Sequence, residues 1–150
     1  MNSETGEKSL ERLIREMNPV LHGGEYVFCV LPDRAAVPGA AVGMFREDEG
    51  TTIVIARSDA EMHRLDPLYR AAWITLTVRS DLDAVGFLAA IASVLAAAGI
   101  SCNVFSAVRH DHLFVPYDDG PRAVEILHAL QMSPSAVHRI QSTEAQNKHG

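Results

Sequence analysis

The sequence predicts an α+β protein with antiparallel sheets and helices on one face, on three observations. Residues 72–79 alternate between apolar and polar side chains, which is the period of a half-buried strand. Residues 84–98 carry apolar side chains at helical spacing and are followed by Gly99, which suits the left-handed turn that ends a helix. Residues 40–57 and 101–117 each read as two strands joined by a short turn.

The first unit is assigned to residues 1–66. It contains signals for a short amphipathic helix, a strand, a hairpin and one or two further helical turns, at residues 9–17, 25–31, 40–57 and 59–65. The strand is an apolar run without alternation, so we expect both of its faces to be covered. The hairpin turns at an acidic stretch, residues 47–50, whose plain interpretation is a loop that faces water. Asp66-Pro67 then interrupts the chain and marks the best internal boundary.

The second unit is assigned to residues 67–133, and a polar tail at residues 134–150 is expected to be partly disordered. After the central helix come two strands, joined at residues 109–111, and a second helix at residues 122–130. This order of strand, helix, strand, strand and helix lacks only the last strand of a ferredoxin-like βαββαβ unit. Since the first unit lacks a clear leading strand, we expect the two units to exchange elements within the chain.

Composition narrows the class of protein. The 150 residues are 47% hydrophobic with a net charge of −6 and a pI near 5.6, so no surplus of Lys and Arg is available to bind nucleic acid or an acidic membrane. Trp73 and Phe105 have no interleaved basic residues, which favours a covered sheet or an interface over a base-stacking platform. The polar N-terminus predicts no signal peptide, and Cys29 and Cys102 lie in apolar runs, as reduced thiols do. We therefore expect a cytoplasmic protein.

The string His110-Asp111-His112 raises the question of a metal site. On an extended chain the two imidazoles point to the same side and could share a metal, with His22 as a third ligand. Structural zinc sites, however, show four ligands with clearer spacing. A tight turn in which Asp111 accepts backbone hydrogen bonds is the favoured interpretation. The sequence therefore predicts no metal and no cofactor.

Several of these stretches resemble the ACT-domain family. The similar segments are Ile-Thr-Leu-Thr-Val, Leu-Asp-Ala-Val-Gly, Leu-Ala-Ala-Ala-Gly-Ile-Ser-Cys-Asn-Val and His-Asp-His-Leu-Phe-Val-Pro, at residues 74–78, 82–86, 95–104 and 110–116. Residues 24–28 and 45–51 also have counterparts in small bacterial proteins with two ACT-like units in tandem, which this chain resembles over residues 10–130. The resemblance implies two ferredoxin-like ACT units in a bacterial homo-oligomer. It also implies regulation by a small ligand, typically an amino acid, in place of catalysis.

The turn before the central helix is the candidate ligand site. Unpaired N–H groups at the helix start, expected at Ala84, Val85 and Gly86, could cradle a carboxylate. Asn103 on the next strand could bind an α-amino group. The full set of candidate ligand-binding residues is Ser80, Asp81, Leu82, Ala84, Val85, Gly86, Asn103 and Val104. The alternative is structural: Asp83 caps the helix, Gly86 permits helix–strand packing, and Asn103 satisfies a strand end.

Two functions follow from the sequence. The first is a non-enzymatic regulatory module that binds an amino acid, with side-chain specificity supplied by residues 47–51 of the facing unit. The second is an interaction or oligomerisation module without a ligand. An enzyme would need a nucleophile, a base and an orienting group in one cleft, and no such motif is visible, so no catalytic residue is predicted. The expected partners are a small molecule and further copies of the chain.

Overall fold

The computed structural model describes residue 6 and residues 9–135; the rest of the predicted polar tail, residues 136–150, lies outside this range. The helices are α1 (Leu10–Glu16), α2 (Arg57–Met62), α3 (Phe87–Ala97) and α4 (Gly120–Met132). The strands are β1 (Pro19–Leu21), β2 (Tyr26–Leu31), β3 (Gly43–Glu47), β4 (Gly50–Ala56), β5 (Tyr69–Leu76), β6 (Asn103–Ser106) and β7 (Asp111–Pro116). A turn of 3₁₀ helix, Tyr117–Asp119, joins β7 to α4.

The seven strands form one antiparallel sheet in the order β3-β4-β2-β5-β7-β6, with β1 also paired to β5. Near the start of β5, Ala71 lies opposite Tyr26 of β2, and at its end Leu76 lies opposite Pro19 of β1. Strands β5-β2-β4-β3 therefore form one ferredoxin-like set and strands β1-β5-β7-β6 form the other. β5 is the last strand of the first set and the first strand of the second.

The N-terminal arm, which consists of α1 and β1, completes the second unit. β1 pairs with the edge of β5 where that unit lacks a last strand of its own. Leu13, Ile14 and Met17 have no exposed surface and pack in one cluster with Ile91 of α3 and Leu127 of α4. The expected exchange of elements is thus observed. β1 is not predicted from the sequence, because three residues that include a proline are too few to show the period of a strand.

The first unit has less helical cover than the second. Alternate residues of β2 and β4 pack beneath α2 in a buried apolar cluster of Val27, Cys29, Leu31, Ile53 and Ile55. Between β2 and β3, residues 32–42 form a loop in place of a helix, and Val37 and Ala41 of this loop pack against the cluster. Val30, on the other face of β2, is 48% exposed, so the expectation of a strand covered on both faces is wrong at this end. The unit boundaries at residues 66 and 133 stay predictions.

An aromatic cluster covers the helix-free face of the sheet. The ring of Phe114 makes edge contacts with Phe28 and Phe105, at centroid distances of 5.5 and 5.7 Å, and lies 6.3 Å from Trp73. Phe105, on edge strand β6, has ring atoms 3.4 Å from where a Cβ on Gly43 of the opposite edge strand β3 would stand. The sheet is therefore curved enough to bring its edges together, and Trp73 and Phe105 lie on a covered face.

The end of α3 follows the sequence prediction closely. Gly99 has a φ of 74°, in the left-handed region. Its N–H donates to the carbonyl of Ala96, and the N–H of Ile100 donates to the carbonyl of Leu95, both at 2.9 Å. These two hydrogen bonds define a Schellman motif, and Ile100 is buried against the helix as that motif requires.

Candidate ligand site at the start of helix α3

The segment between β5 and α3 forms a separate turn. The carboxylate of Asp81 accepts a hydrogen bond from the N–H of Asp83, and the carbonyl of Asp81 accepts one from the N–H of Ala84, both at 2.9 Å. Gly86 then adopts a φ of 90°, and α3 begins at Phe87. The expected helix start at residue 84 is therefore wrong, because the local hydrogen bonds of Asp81 hold this stretch in a turn.

A cavity of about 140 Å³, the α3 cavity, lies between this turn and the start of α3. Five of the predicted ligand-binding residues line it, namely Ser80, Asp81, Leu82, Ala84 and Gly86. The first three residues of α3 form a second wall, and Ser106 of β6 and Asp111 of β7 complete the lining. The cavity thus combines the predicted turn with β6, at a residue other than the two predicted ones, and with β7, which was not predicted to contribute.

Three predicted ligand-binding residues, Val85, Asn103 and Val104, are not among the residues that line this cavity. The side chain of Val85 is 85% exposed. Asn103 and Val104 begin β6, whereas the cavity meets β6 at its other end, at Ser106. The predicted specificity turn at residues 47–51 is also absent from the lining. An amino group bound in this cavity would therefore need a partner other than Asn103.

Asp111 is the partner that the structure offers. Its carboxylate accepts a hydrogen bond of 2.7 Å from the hydroxyl of Ser80, and both residues are buried, at 4% and 6% exposure. A signal for this placement was present in the sequence. Asp111, Leu113 and Val115 alternate along β7, so the carboxylate shares the core face with two fully buried apolar residues.

The start of α3 supplies hydrogen-bond donors to the same cavity. The carbonyl of Gly86 accepts the first intrahelical hydrogen bond, from Ala90, so the N–H groups of Phe87, Leu88 and Ala89 have no acceptor within the helix. Gly86 has no side chain with which to cap them. The helix dipole adds a partial positive charge at this end. The helix start therefore favours an anion, and the lining of the same cavity also includes the buried carboxylate of Asp111.

A separate polar chain crosses the helix-free face. The Nε2 atom of His22 lies 2.7 Å from the hydroxyl of Thr75, which lies 3.0 Å from Nδ1 of His112. The indole N–H of Trp73 donates to the same Nδ1 at 3.1 Å. Burial lowers the pKa of both His22 and His112. Across the described residues, no group of three or more His, Cys, Asp and Glu could hold a metal ion.

Two further observations bear on the class of protein. Burial raises the pKa of the Cys102 thiol to about 11, and it also raises the pKa of Cys29, so neither side chain is a ready thiolate nucleophile at neutral pH. Of the helices in the described part of the chain, none has both the length and the apolar surface needed to cross a membrane.

Family models for the ACT domain match two consecutive parts of the chain, residues 5–72 and residues 69–129. The chain belongs to the ACT-domain family. The two matches overlap at the start of β5, the strand that both ACT units share. ACT domains are regulatory domains that generally bind small molecules, often amino acids, and they are not catalytic domains. The predicted family and the predicted α+β fold are thereby confirmed.

Solved structures share this fold. A Vibrio cholerae protein of unknown function, described as a possible transport protein, is 38% identical with a TM-score of 0.71, over 83% of this chain and 97% of that one. An Agrobacterium tumefaciens protein is 24% identical with a TM-score of 0.58, over 75% and 87%. The regulatory subunit of aspartate kinase from Thermus flavus is 11% identical with a TM-score of 0.55, over 74% and 95%. The last two show the fold alone. No match was found among curated proteins.

Proposed function

We propose that this protein is a non-enzymatic regulator that binds a small amino acid in the α3 cavity. The observation that carries the proposal is that a helix start and a buried carboxylate line the same cavity. The N–H groups at the start of α3 suit the α-carboxylate, and the buried carboxylate of Asp111 suits the α-ammonium group. Ser80 holds the Asp111 carboxylate in place through its hydroxyl. A zwitterion would thus meet complementary charge at both ends.

The size of the cavity limits the side chain of the ligand. A protein cavity of about 150 Å³ accommodates benzene, which is comparable in size with a small amino acid. The α3 cavity, at about 140 Å³, therefore suits glycine, alanine or serine better than leucine or an aromatic amino acid. Specificity in this proposal comes from limited space rather than from the turn at residues 47–51.

Regulation would follow from the position of the cavity in the fold. Its lining joins the turn that follows the shared strand β5 to α3, β6 and β7. A ligand that binds one arrangement of these elements more tightly than another shifts the population toward that arrangement. We include in the proposal a cytoplasmic homo-oligomer whose association responds to this shift.

A thermal-shift and calorimetric series tests the proposal. Glycine, alanine and serine should raise the melting temperature, because a ligand at about a hundred times its dissociation constant adds roughly 2.7 kcal/mol of stability. Phenylalanine and tryptophan should not. Asp111→Asn should lower the affinity at least tenfold by removing a charge-assisted hydrogen bond. Asp48→Asn, which makes the same charge change in the exposed β3–β4 turn, is the matched control.

Two results would contradict the amino-acid site. One is the absence of any shift across the series in wild-type protein. The other is an equal loss of affinity in Asp111→Asn and Asp48→Asn, which would show a general charge effect. Circular dichroism should first establish that Asp111→Asn is folded, since the residue is buried.

A ligand-free interaction module is the second candidate, and one surface favours it. Val30 of β2 and Phe45 of β3 both lie opposite Thr52 of β4, so the two side chains stand on the same face near the sheet edge. They are 48% and 66% exposed. Apolar side chains grouped in this way suit a protein contact. Light scattering of Phe45→Glu would reveal whether association depends on this surface.

A further inference from the structure

A second cavity lies at the other end of β5, away from α3. Its volume is about 380 Å³, larger than the α3 cavity and within the range of about 300–1,000 Å³ that is typical of small-molecule sites. The turn that follows β1, at His22 and Gly23, forms one side. Tyr117 and Asp118, in the 3₁₀ turn before α4, form the other. The cavity therefore lies where the N-terminal arm meets the second ACT unit.

The walls of this second cavity are fixed by close packing. Gly120 begins α4 against β5, and a Cβ added to it would stand 2.7 Å from the Cβ of Ala72 and 3.4 Å from Cδ1 of Leu21. Ala72 and Leu21 themselves line the cavity. The start of α4 thus packs directly against Leu21 and Ala72, which form the apolar floor of the cavity together with Pro121, and this packing gives the cavity a preformed shape.

The chemistry of the lining favours a cation. Asp118 is the one lining residue with a formal charge, and it has no salt-bridge partner among the described residues. The guanidinium of Arg70 lies over the ring of Tyr117 and attracts Asp118 electrostatically, but its N–H groups donate to both carboxylate oxygens of Glu25 and not to Asp118. Burial lowers the pKa of His22, so its ring is neutral at pH 7 and does not repel a cation.

We propose that this second cavity binds a small organic cation, an alkylammonium with a short apolar stem. The ammonium group would pair with the carboxylate of Asp118, and the stem would lie on the apolar floor formed by Leu21, Ala72 and Pro121. Such a ligand contacts both the N-terminal arm and the start of α4, so it holds the arm against the second unit. The proposal goes beyond the amino-acid site and does not depend on it.

The single tryptophan gives the experiment a direct readout. Trp73 stacks on His22 with ring centroids 3.6 Å apart, and His22 is part of the lining. Tryptophan fluorescence and calorimetry should therefore be recorded while the full chain is titrated with butylamine and with putrescine. Butyrate and 1-butanol, which carry the same stem without a positive charge, are the control ligands. Saturable binding of the amines alone is expected.

Three substitutions test whether the amine binds in the second cavity. Asp118→Asn should weaken butylamine binding about two- to fivefold, because water partly screens an ion pair at this exposed side chain. Asp119→Asn makes the same charge change one residue away, outside the lining, and should leave binding almost unchanged. Gly23→Leu should also weaken binding, because Gly23 lines the cavity and a Cβ added there meets no atom within 4 Å, so the new side chain can occupy space beside the ligand. Circular dichroism checks that each variant is folded.

Three outcomes would overturn the proposal. Butylamine and putrescine could fail to bind, butyrate or butanol could bind equally well, or Asp118→Asn and Asp119→Asn could lose the same affinity. Asp111→Asn separates this site from the α3 cavity. Amine binding that survives Asp111→Asn supports two distinct sites, whereas amine binding that is lost in this variant places the cation in the α3 cavity and contradicts the second site.

Discussion

The two ACT units differ in what covers their sheets. The second unit carries α1, α3 and α4 on one face, and its buried cluster draws on all three helices. The first unit carries only α2 and the loop at residues 32–42 over a smaller cluster. Each unit also lacks a part that the other half of the chain supplies, since the N-terminal arm serves the second unit and β5 serves both. Neither unit is therefore complete alone.

The two faces of the sheet differ in whether their apolar side chains separate the two units or join them. On the helix-covered face, the apolar side chains separate into one cluster for each unit. On the helix-free face, a single aromatic cluster joins Phe28 of the first unit to Phe105 and Phe114 of the second. The helices therefore distinguish the units, and the aromatic side chains connect them.

The substitution with the largest expected effect tests whether the N-terminal arm belongs to the second unit. Leu13→Ala should lower the free energy of unfolding by about 3 kcal/mol, because it leaves a cavity at a position with no exposed surface. Leu68→Ala, at a side chain that is 72% exposed, should change it by about 0.5 kcal/mol or less. Chemical denaturation measures both. If both substitutions changed the free energy of unfolding equally little, the N-terminal arm would not be part of the core of the second unit.

The substitution with the next largest expected effect tests how closely α4 packs against the shared strand β5. Gly120→Ala should cost about 1–3 kcal/mol through overpacking, since the new Cβ would stand 2.7 Å from the Cβ of Ala72. Gly39→Ala, in the loop of the first unit, meets no atom within 4 Å and is the matched control. A neutral Gly120→Ala would show that α4 can move away from β5, and that the second unit is packed no more tightly than the first.

The smallest effect concerns pH and the helix-free face. The indole N–H of Trp73 can only donate, so Nδ1 of His112 must be unprotonated to accept it. Burial lowers the folded-state pKa of His112 below its ordinary value of about 6.5, and protons therefore bind preferentially to the unfolded chain. The stability that neutral His112 contributes should be fully present above about pH 6.5 and should decline as the pH falls toward the folded-state pKa. Denaturation of wild type and His112→Gln at pH 8 and pH 5.5 measures this.

The control for the pH effect is His128, which is exposed on α4. His128→Gln should retain the wild-type loss of stability between pH 8 and pH 5.5, whereas His112→Gln should reduce it. His22, whose pKa burial also lowers, adds a contribution of the same sign, so some pH dependence should survive in His112→Gln. A wild-type protein that is more stable at pH 5.5 than at pH 8 would contradict the assignment.

Local chemistry accounts for what could be predicted from the sequence. The alternation of residues 72–79 marked the central strand, although β5 begins earlier and ends at Leu76. Gly99 and Ile100 specified the end of α3, because a Schellman motif depends on neighbouring residues. Five of the residues at 80–86 that the sequence singled out line the α3 cavity, although α3 begins at Phe87 and not at residue 84. Periodicity and capping are properties of short segments, and the sequence displays them directly.

Tertiary structure decided the rest. The pairing of Pro19 with Leu76 made β1 a strand, and the contact between Ser80 and Asp111 brought a buried carboxylate to the α3 cavity. Alternation along β7 places Asp111 on the core face, but neither pair of partners can be read from a local pattern, because each joins two segments that lie far apart in the chain. The sequence by itself thus determined the family, the fold class and the turn of the candidate site. The partners of that turn, and the cavity beside the N-terminal arm, depend on long-range packing that only the folded sheet sets.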